Sequence, residues 1–322
     1  MPSRHPFLTR PTSIDRRAKL LVSLVGMIGY AGSLPAQPSE EPRVAVVRKA
    51  TSSSADTRPL SSTGETIVIS AATELLPHQH HDWARFQPGA WRTLQTVTET
   101  FDPNGKFIGR SETTQTDTLL EVTADTYTIE SSTVVHIGGK KLRGSAQRTT
   151  RSLLTDTPVE LQAVVALPAA NLNLDGRIVP CQRWRLELGA GAQRRLETLY
   201  YNADLSPYVL RREALAADDT SAATEIQSTT TVVRVDAPVA LDEGIFPGRH
   251  VSIDSQTGAH RVARLEVRTD VVPGGMVSAS STERDAAGRR VRWSTTELVD
   301  SGQAGDTPAP RQRWRLFKRR TP

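Results

Sequence analysis

YTIESSTVVHI, residues 127–137, places Tyr127, Ile129, Val135 and Ile137 on one parity and Thr128, Glu130 and Ser132 on the other. Side chains of a strand alternate between faces, so a period of two marks a strand with one dry and one wet side. The pair Gly138-Gly139 then reverses the chain. The same alternation recurs in QRWRLEL (182–188), where Trp184, Leu186 and Leu188 oppose Arg183, Arg185 and Glu187. In RLEVRTDV (264–271), Leu265, Val267 and Val271 share a side and are expected to face the core. A parallel sheet would be apolar on both faces, so the pattern predicts antiparallel pairing. The expected fold is mainly β: a curved antiparallel sheet, open barrel or sandwich, with at most one short helix. That helix would be VELQAVVALPAAN, residues 159–171, interrupted by Pro168.

Two internal echoes support a sheet built from repeated hairpins. TETFDPNGKFIGRSETT (98–114) resembles STERDAAGRRVRWSTT (281–296), with Asp102 matching Asp285 and Gly105 matching Gly288. Each reads as a hairpin turn, with Gly at a positive-φ position and Asp bonding the turn backbone. PCQRWRL (180–186) likewise matches PRQRWRL (310–316), and the second copy predicts a last strand carrying Trp314.

Outside the sheet, the chain has an address. Arg4, Arg10, Arg16, Arg17 and Lys19 precede the apolar run Leu20–Ala31, and GSLPAQP follows. Basic region, short apolar core and small residues are the order of a secretory signal. Cleavage after Ala36 is expected, with Ala31 as the alternative site and an uncleaved anchor or a twin-arginine signal as other readings. Residues 37–82, rich in Ser, Thr, Pro and charge, read as a flexible linker. Residues 83–322 form the β domain, with a division into two sub-sheets near 214–224 as an option.

Charge divides the same way. The total of +5 splits into +4 in residues 1–36, +6 in the run from Arg311 to Arg320, and about −5 in the body between. The high pI therefore belongs to the two ends, and a nucleic-acid partner is not expected. The single cysteine, Cys181, allows no internal disulfide and reads as a small buried hydrophobe.

His78-Gln79-His80-His81-Asp82 is the sharpest chemical candidate. Imidazoles at alternate positions with a carboxylate beside them can ligate a metal. His78-x-His80-x-Asp82 also resembles the start of the metallo-β-lactamase superfamily motif, but Trp83 stands where its last His belongs. A metal-dependent hydrolase built on His78, His80, His81 and Asp82 is thus the alternative; a His-rich loop entering the first strand is the leading expectation. No G-x-S-x-G, phosphate-cradling glycine loop or H-E-x-x-H occurs. Aromatic residues gather at Trp83, Phe86 and Trp91, and again at Tyr200, Tyr201 and Tyr208. Trp91, Tyr200, Tyr201 and Tyr208 are the candidate ligand-binding residues. No cofactor is expected.

Pro88-Gly89-Ala90-Trp91, the turn from Asp102 to Gly105 and LETLYYNADLSPYVLRRE (196–213) resemble secreted bacterial proteins of unknown function that share a curved antiparallel sheet. The last segment is also similar to the strand–turn–strand of lipoprotein-carrier-type half-barrels. That resemblance implies a sheet wrapped around a helix, with an acyl chain held in the concave face. The expected role is an exported, non-enzymatic protein that binds or scaffolds at the cell envelope, with lipid, another hydrophobic ligand or an envelope polymer as partner. No membrane span is expected once the signal is removed, and the expected location is periplasmic or extracellular. Export has a direct readout: protein from the native host should lie outside the cytoplasm with an N-terminus between Gly32 and Gln37. Cytoplasmic protein starting at Met1 would remove the signal assignment.

Overall fold

A computed structural model describes residues 66–67, 74–155, 161–189, 194–216 and 226–306. The expected signal, the linker up to residue 65 and the basic run with Trp314 lie outside them. The described chain is almost entirely β. Its strands are β1 (Thr66–Ile67), β2 (Trp91–Phe101), β3 (Phe107–Val122), β4 (Thr126–Ile137) and β5 (Lys140–Arg143). They continue with β6 (Gln147–Ser152), β7 (Leu161–Leu174), β8 (Arg177–Leu188), β9 (Arg195–Tyr201) and β10 (Val209–Ala216). The last are β11 (Ile226–Leu241), β12 (Gly244–Thr257), β13 (His260–Thr269), β14 (Met276–Arg284) and β15 (Arg290–Gly302).

All these strands join one antiparallel sheet in the order β1-β7-β8-β9-β10-β11-β12-β13-β14-β15-β2-β3-β4-β5, with β6 also on β4. Two meanders, β2 to β5 and β7 to β15, are fused where β15 pairs with β2. β10 and β11 pair directly, so the sheet is continuous across the region near 214–224. The path ends at β1 and β5, which do not pair, so the barrel is not closed. Among the described residues no helix is long and apolar enough to cross a membrane.

The sheet curls because one core draws on both ends of this order. Leu119, Tyr127 and Ile129 of β3 and β4 share a buried cluster with Val164, Trp184, Leu186, Leu188, Leu199 and Tyr201 of β7 to β9. Between them sit Leu75, Leu76, Trp83 and Ala84. The stretch from 74 to 82, grouped with the linker on composition, thus carries two leucines into the main core, where each contributes roughly 1.5–3 kcal/mol. Residues 74–90 plug the rolled sheet. A second core gathers Leu172, Leu174, Cys181, Tyr200, Leu210, Val232, Val235 and Val251. Successive side chains of a strand point to opposite faces, so Tyr201 and Tyr200 of β9 serve the two cores from opposite sides.

Two elements differ from expectation. The described part of VELQAVVALPAAN, from Leu161, forms no helix; it is the strand β7. Pro168 falls at the register shift between Leu167 and Ala170, where a bulge spares the ladder the missing N–H. In β13 the faces are reversed. Leu265 is 44% exposed while Glu266 is 2% exposed, and Val271, just past the strand, is 41% exposed. The charged side faces inward because it is neutralised there: Glu266 is clasped by Arg264 and Arg268.

The hairpin echo is realised atom for atom. In the β2–β3 turn Asp102 Oδ1 accepts from the amides of Asn104 and Lys106, both at 2.9 Å. In the β14–β15 turn Asp285 Oδ1 accepts from Ala287 at 2.9 Å and Arg289 at 3.0 Å. Gly105 and Gly288 hold φ of 78° and 75°, with open space where a Cβ would stand. Any penalty of substitution is therefore backbone strain, not a clash. Replacing either glycine with Val should cost about 1–2 kcal/mol in a denaturation midpoint; unchanged midpoints for both would contradict the turn assignment.

Candidate functional site

Within the plug His78–His80 form a 3-10 turn, closed by bonds from His80 N–H to Pro77 O at 2.8 Å and from His81 N–H to His78 O at 3.0 Å. Pro77 opens it with its fixed φ. His81 then caps the following turn. Its Nδ1 accepts from the amides of Trp83 and Ala84, both at 3.1 Å. The turn ends where Gly89 N–H reaches Leu119 O at 2.7 Å and the chain enters β2.

From this short segment the side chains diverge. His78 Nε2 donates to Thr123 O at 2.9 Å. His81 lies 4.7 Å from the Tyr127 ring. His80 stacks on Tyr208 at 3.7 Å and 12°, with Nδ1 2.7 Å from the Tyr201 hydroxyl. Asp82 faces arginines. The four candidate ligands are neighbours in sequence that take separate partners: His78 the β3–β4 turn, His80 Tyr201, His81 the amides of its own segment and Asp82 the arginines. Among the described residues no three His, Cys, Asp or Glu side chains are placed to hold one metal ion.

Asp82 is the hub of a charged cluster. Its Oδ1 accepts from Arg249 and its Oδ2 from Arg268 at 2.9 Å, with Arg85 at 3.8 Å. Arg249 also grips Asp270, which takes Arg85 at 2.9 Å and the Ser206 hydroxyl. Asp82 O accepts from Gly274 N–H at 2.9 Å. Gly274, at φ +70°, presses on the Trp83 ring and Arg92, where a Cβ would come within 2.6 Å of both. Arg92 in turn lies 5.0 Å over Trp83, donates to Gly274 O at 2.8 Å and pairs with Asp117.

Burial works to raise the Asp82 carboxyl, but Arg249, then Arg268 and Arg85, outweigh it and hold it well below the usual carboxylate range. Asp270 and Glu266 are likewise lowered against their burial by their arginines. His80 is lowered, by burial first and by Arg85 second, and is neutral at pH 7. Tyr201 is raised by burial, then by Tyr208 and Asp204, so its hydroxyl stays protonated beside His80 Nδ1. Burial also raises the Cys181 thiol, which suits a packing residue.

Of the aromatic candidates, the structure unites Tyr201 and Tyr208, with His80 between them. Tyr200 lies on the opposite face between Arg183 and Arg211, each 5.6 Å from its ring. Trp91 is buried at the start of β2, close against Gly302. The sequence reading missed Arg249, Arg268, Asp270 and Ser206. Only Arg85, three residues after Asp82, carried a local signal.

No family model matches the chain, and no curated protein matches it. Among solved structures, it is similar to the N-terminal dehydratase from the difficidin assembly line at 11% identity, over 65% of this chain and 78% of that one. The TM-score of 0.13 makes that likeness too slight to carry an argument.

The cluster has consequences for stability. Removing one partner of a buried ion pair strands the other charge and costs about 3–5 kcal/mol, so Asp82→Asn should lower stability by that order. Unfolded, these carboxylates titrate near pH 4; folded, they titrate lower. Their stabilisation is complete above about pH 5 and disappears as pH falls toward the folded values. Denaturation midpoints against pH should fall steeply below about pH 4 in the wild type and less steeply in Asp82→Asn. Parallel curves would contradict the role of Asp82.

Proposed function

We propose that this protein is an exported, non-enzymatic binding or scaffolding protein of the cell envelope, with its ligand seated where His80, Tyr201 and Tyr208 meet. The observation that carries this reading is Tyr208. A bulky residue at φ 69° is a strained conformation, costing on the order of 1–3 kcal/mol and favoured where a side chain must be held for a task. Here the strain lays a half-exposed tyrosine ring flat against a neutral imidazole.

Chemistry favours binding. In the adjoining cluster Asp82 and Asp270 are held ionised by arginines, leaving neither as a ready proton donor. The stacked rings present an apolar surface with hydroxyl and imidazole groups at its margin, which suits a lipid or another ligand with a hydrophobic face. Half-buried Phe86 and Val209 pack against the same core as Tyr208. Export rests on the order of residues from Arg4 to Ala36.

The test is solvent extraction of protein purified from its native host, followed by mass spectrometry. A stoichiometric amphiphile in the wild type, lost from Tyr208→Ala at unchanged fold, is expected. A clean extract, or equal ligand in the variant, would contradict the proposed seat. A stoichiometric metal lost on replacing His78, His80 and His81 with Ala would instead favour the hydrolase.

A further inference from the structure

A separate surface carries charge of its own. Residues 140–151, KKLRGSAQRTTR, hold five basic residues and no acid, within a body of net negative charge. They form β5 and β6, which lie end to end along one side of β4: β5 on residues 134–137 and β6 on residues 126–131. β3 occupies the other side of β4, so among the described residues this line is the free margin of the sheet. At about 3.3 Å per residue it runs roughly 40 Å.

Every residue from Lys140 to Arg148 is exposed. Arg148 pairs with Glu130 at 2.9 Å and remains 72% exposed. Among the described residues, Lys140, Lys141, Arg143 and Arg151 have no ion-pair partner. Register puts Lys141 and Arg143 on the face shared with His136 and Val134, and Lys140 and Arg151 on the face shared with Ile137 and Tyr127. The margin is therefore a narrow ribbon with cations on both sides.

We infer that this ribbon, Lys140 to Arg151, docks an extended acidic polysaccharide lying along the sheet margin. The inference goes beyond the aromatic seat and does not depend on it. A linear track of unneutralised cations complements a linear polyanion, and the local field concentrates it. Three other occupants fit less well. Single-stranded nucleic acid binds through stacked bases, and no aromatic residue occurs from Gly138 to Leu154. A membrane surface calls for an apolar wedge, and Leu142 is the sole large apolar side chain from Lys140 to Arg148. A strand-adding peptide is discouraged by the lysines themselves, since charged side chains on an edge oppose pairing.

The experiment titrates full-length mature protein with a size-defined heparin oligosaccharide by calorimetry, at low and at physiological salt. Binding that weakens with salt is expected. K140E/K141E/R143E should weaken it about tenfold or more, as loss of several charge contacts does. The milder K140A/R143A should fall between, and guards against a folding defect in the triple variant. R319E/R320E should bind as wild type. No wild-type binding at low salt, undiminished binding by both ribbon variants, or loss on R319E/R320E would overturn the inference. So would tighter ribbon-dependent binding to phosphatidylglycerol vesicles or oligo(dT).

Discussion

The half-buried Asp82 carboxylate, held by Arg249 of β12 and Arg268 of β13 with Arg85 beside it, is the constraint on which the rolled sheet depends. The strands carry polar side chains on much of both faces, so without the plug the sheet has little reason to curl. The plug supplies that reason twice over. Its leucines and Trp83 gather β3, β4 and β7 to β9 into one core. Its carboxylate ties that core to strands in the middle of the sheet. Exposed pairs such as Arg177–Asp236, with both partners more than half exposed, are worth at most about 1 kcal/mol. Breaking the buried cluster costs several times that.

This arrangement explains why the inner face is polar. Arg264 pairs in register with Ser281 and Glu266 with Ala279; Ser294 and Thr296 follow on β15. Arginine and glutamate occupy the inside because they satisfy one another and the plug. Leu265 is left outside as the parity partner of that choice. Small hydroxyl residues beside them bond across strands, as Thr96 does with Thr296 at 2.9 Å.

Alternation made the strands legible, and the Asp–Gly signature made two turns legible down to their hydrogen bonds. Period two gives the parity of a strand but not which side is inward. In β8 the apolar side won, since Trp184, Leu186 and Leu188 are buried. In β13 the charged side won because Arg264 and Arg268 of the same strand neutralise Glu266, and Arg268 also meets Asp82 of the plug. VELQAVVALPAAN looked helical for its alanines and leucines, yet pairing with β8 overrode propensity. The segment His78–Asp82 stood out as unusual on composition. Its chemistry was hidden because Asp82 meets Arg249 and Arg268 from 167 and 186 residues away. Adjacent Tyr200 and Tyr201 looked alike in sequence; strand geometry sends one to each core.

If the plug is structurally one with the sheet, its amides must open only when the whole sheet does. Native-state hydrogen exchange reads this directly, since local openings exchange at lower free energy than global unfolding. The informative amides are Gly89, bonded to Leu119 O, and Gly274, bonded to Asp82 O, against those of β4 and β9. The account predicts one shared opening free energy for all of them, equal to that of global unfolding. Exchange of Gly89 and Gly274 at markedly lower free energy, with β4 and β9 still protected, would show a plug that lifts out alone and would contradict the account.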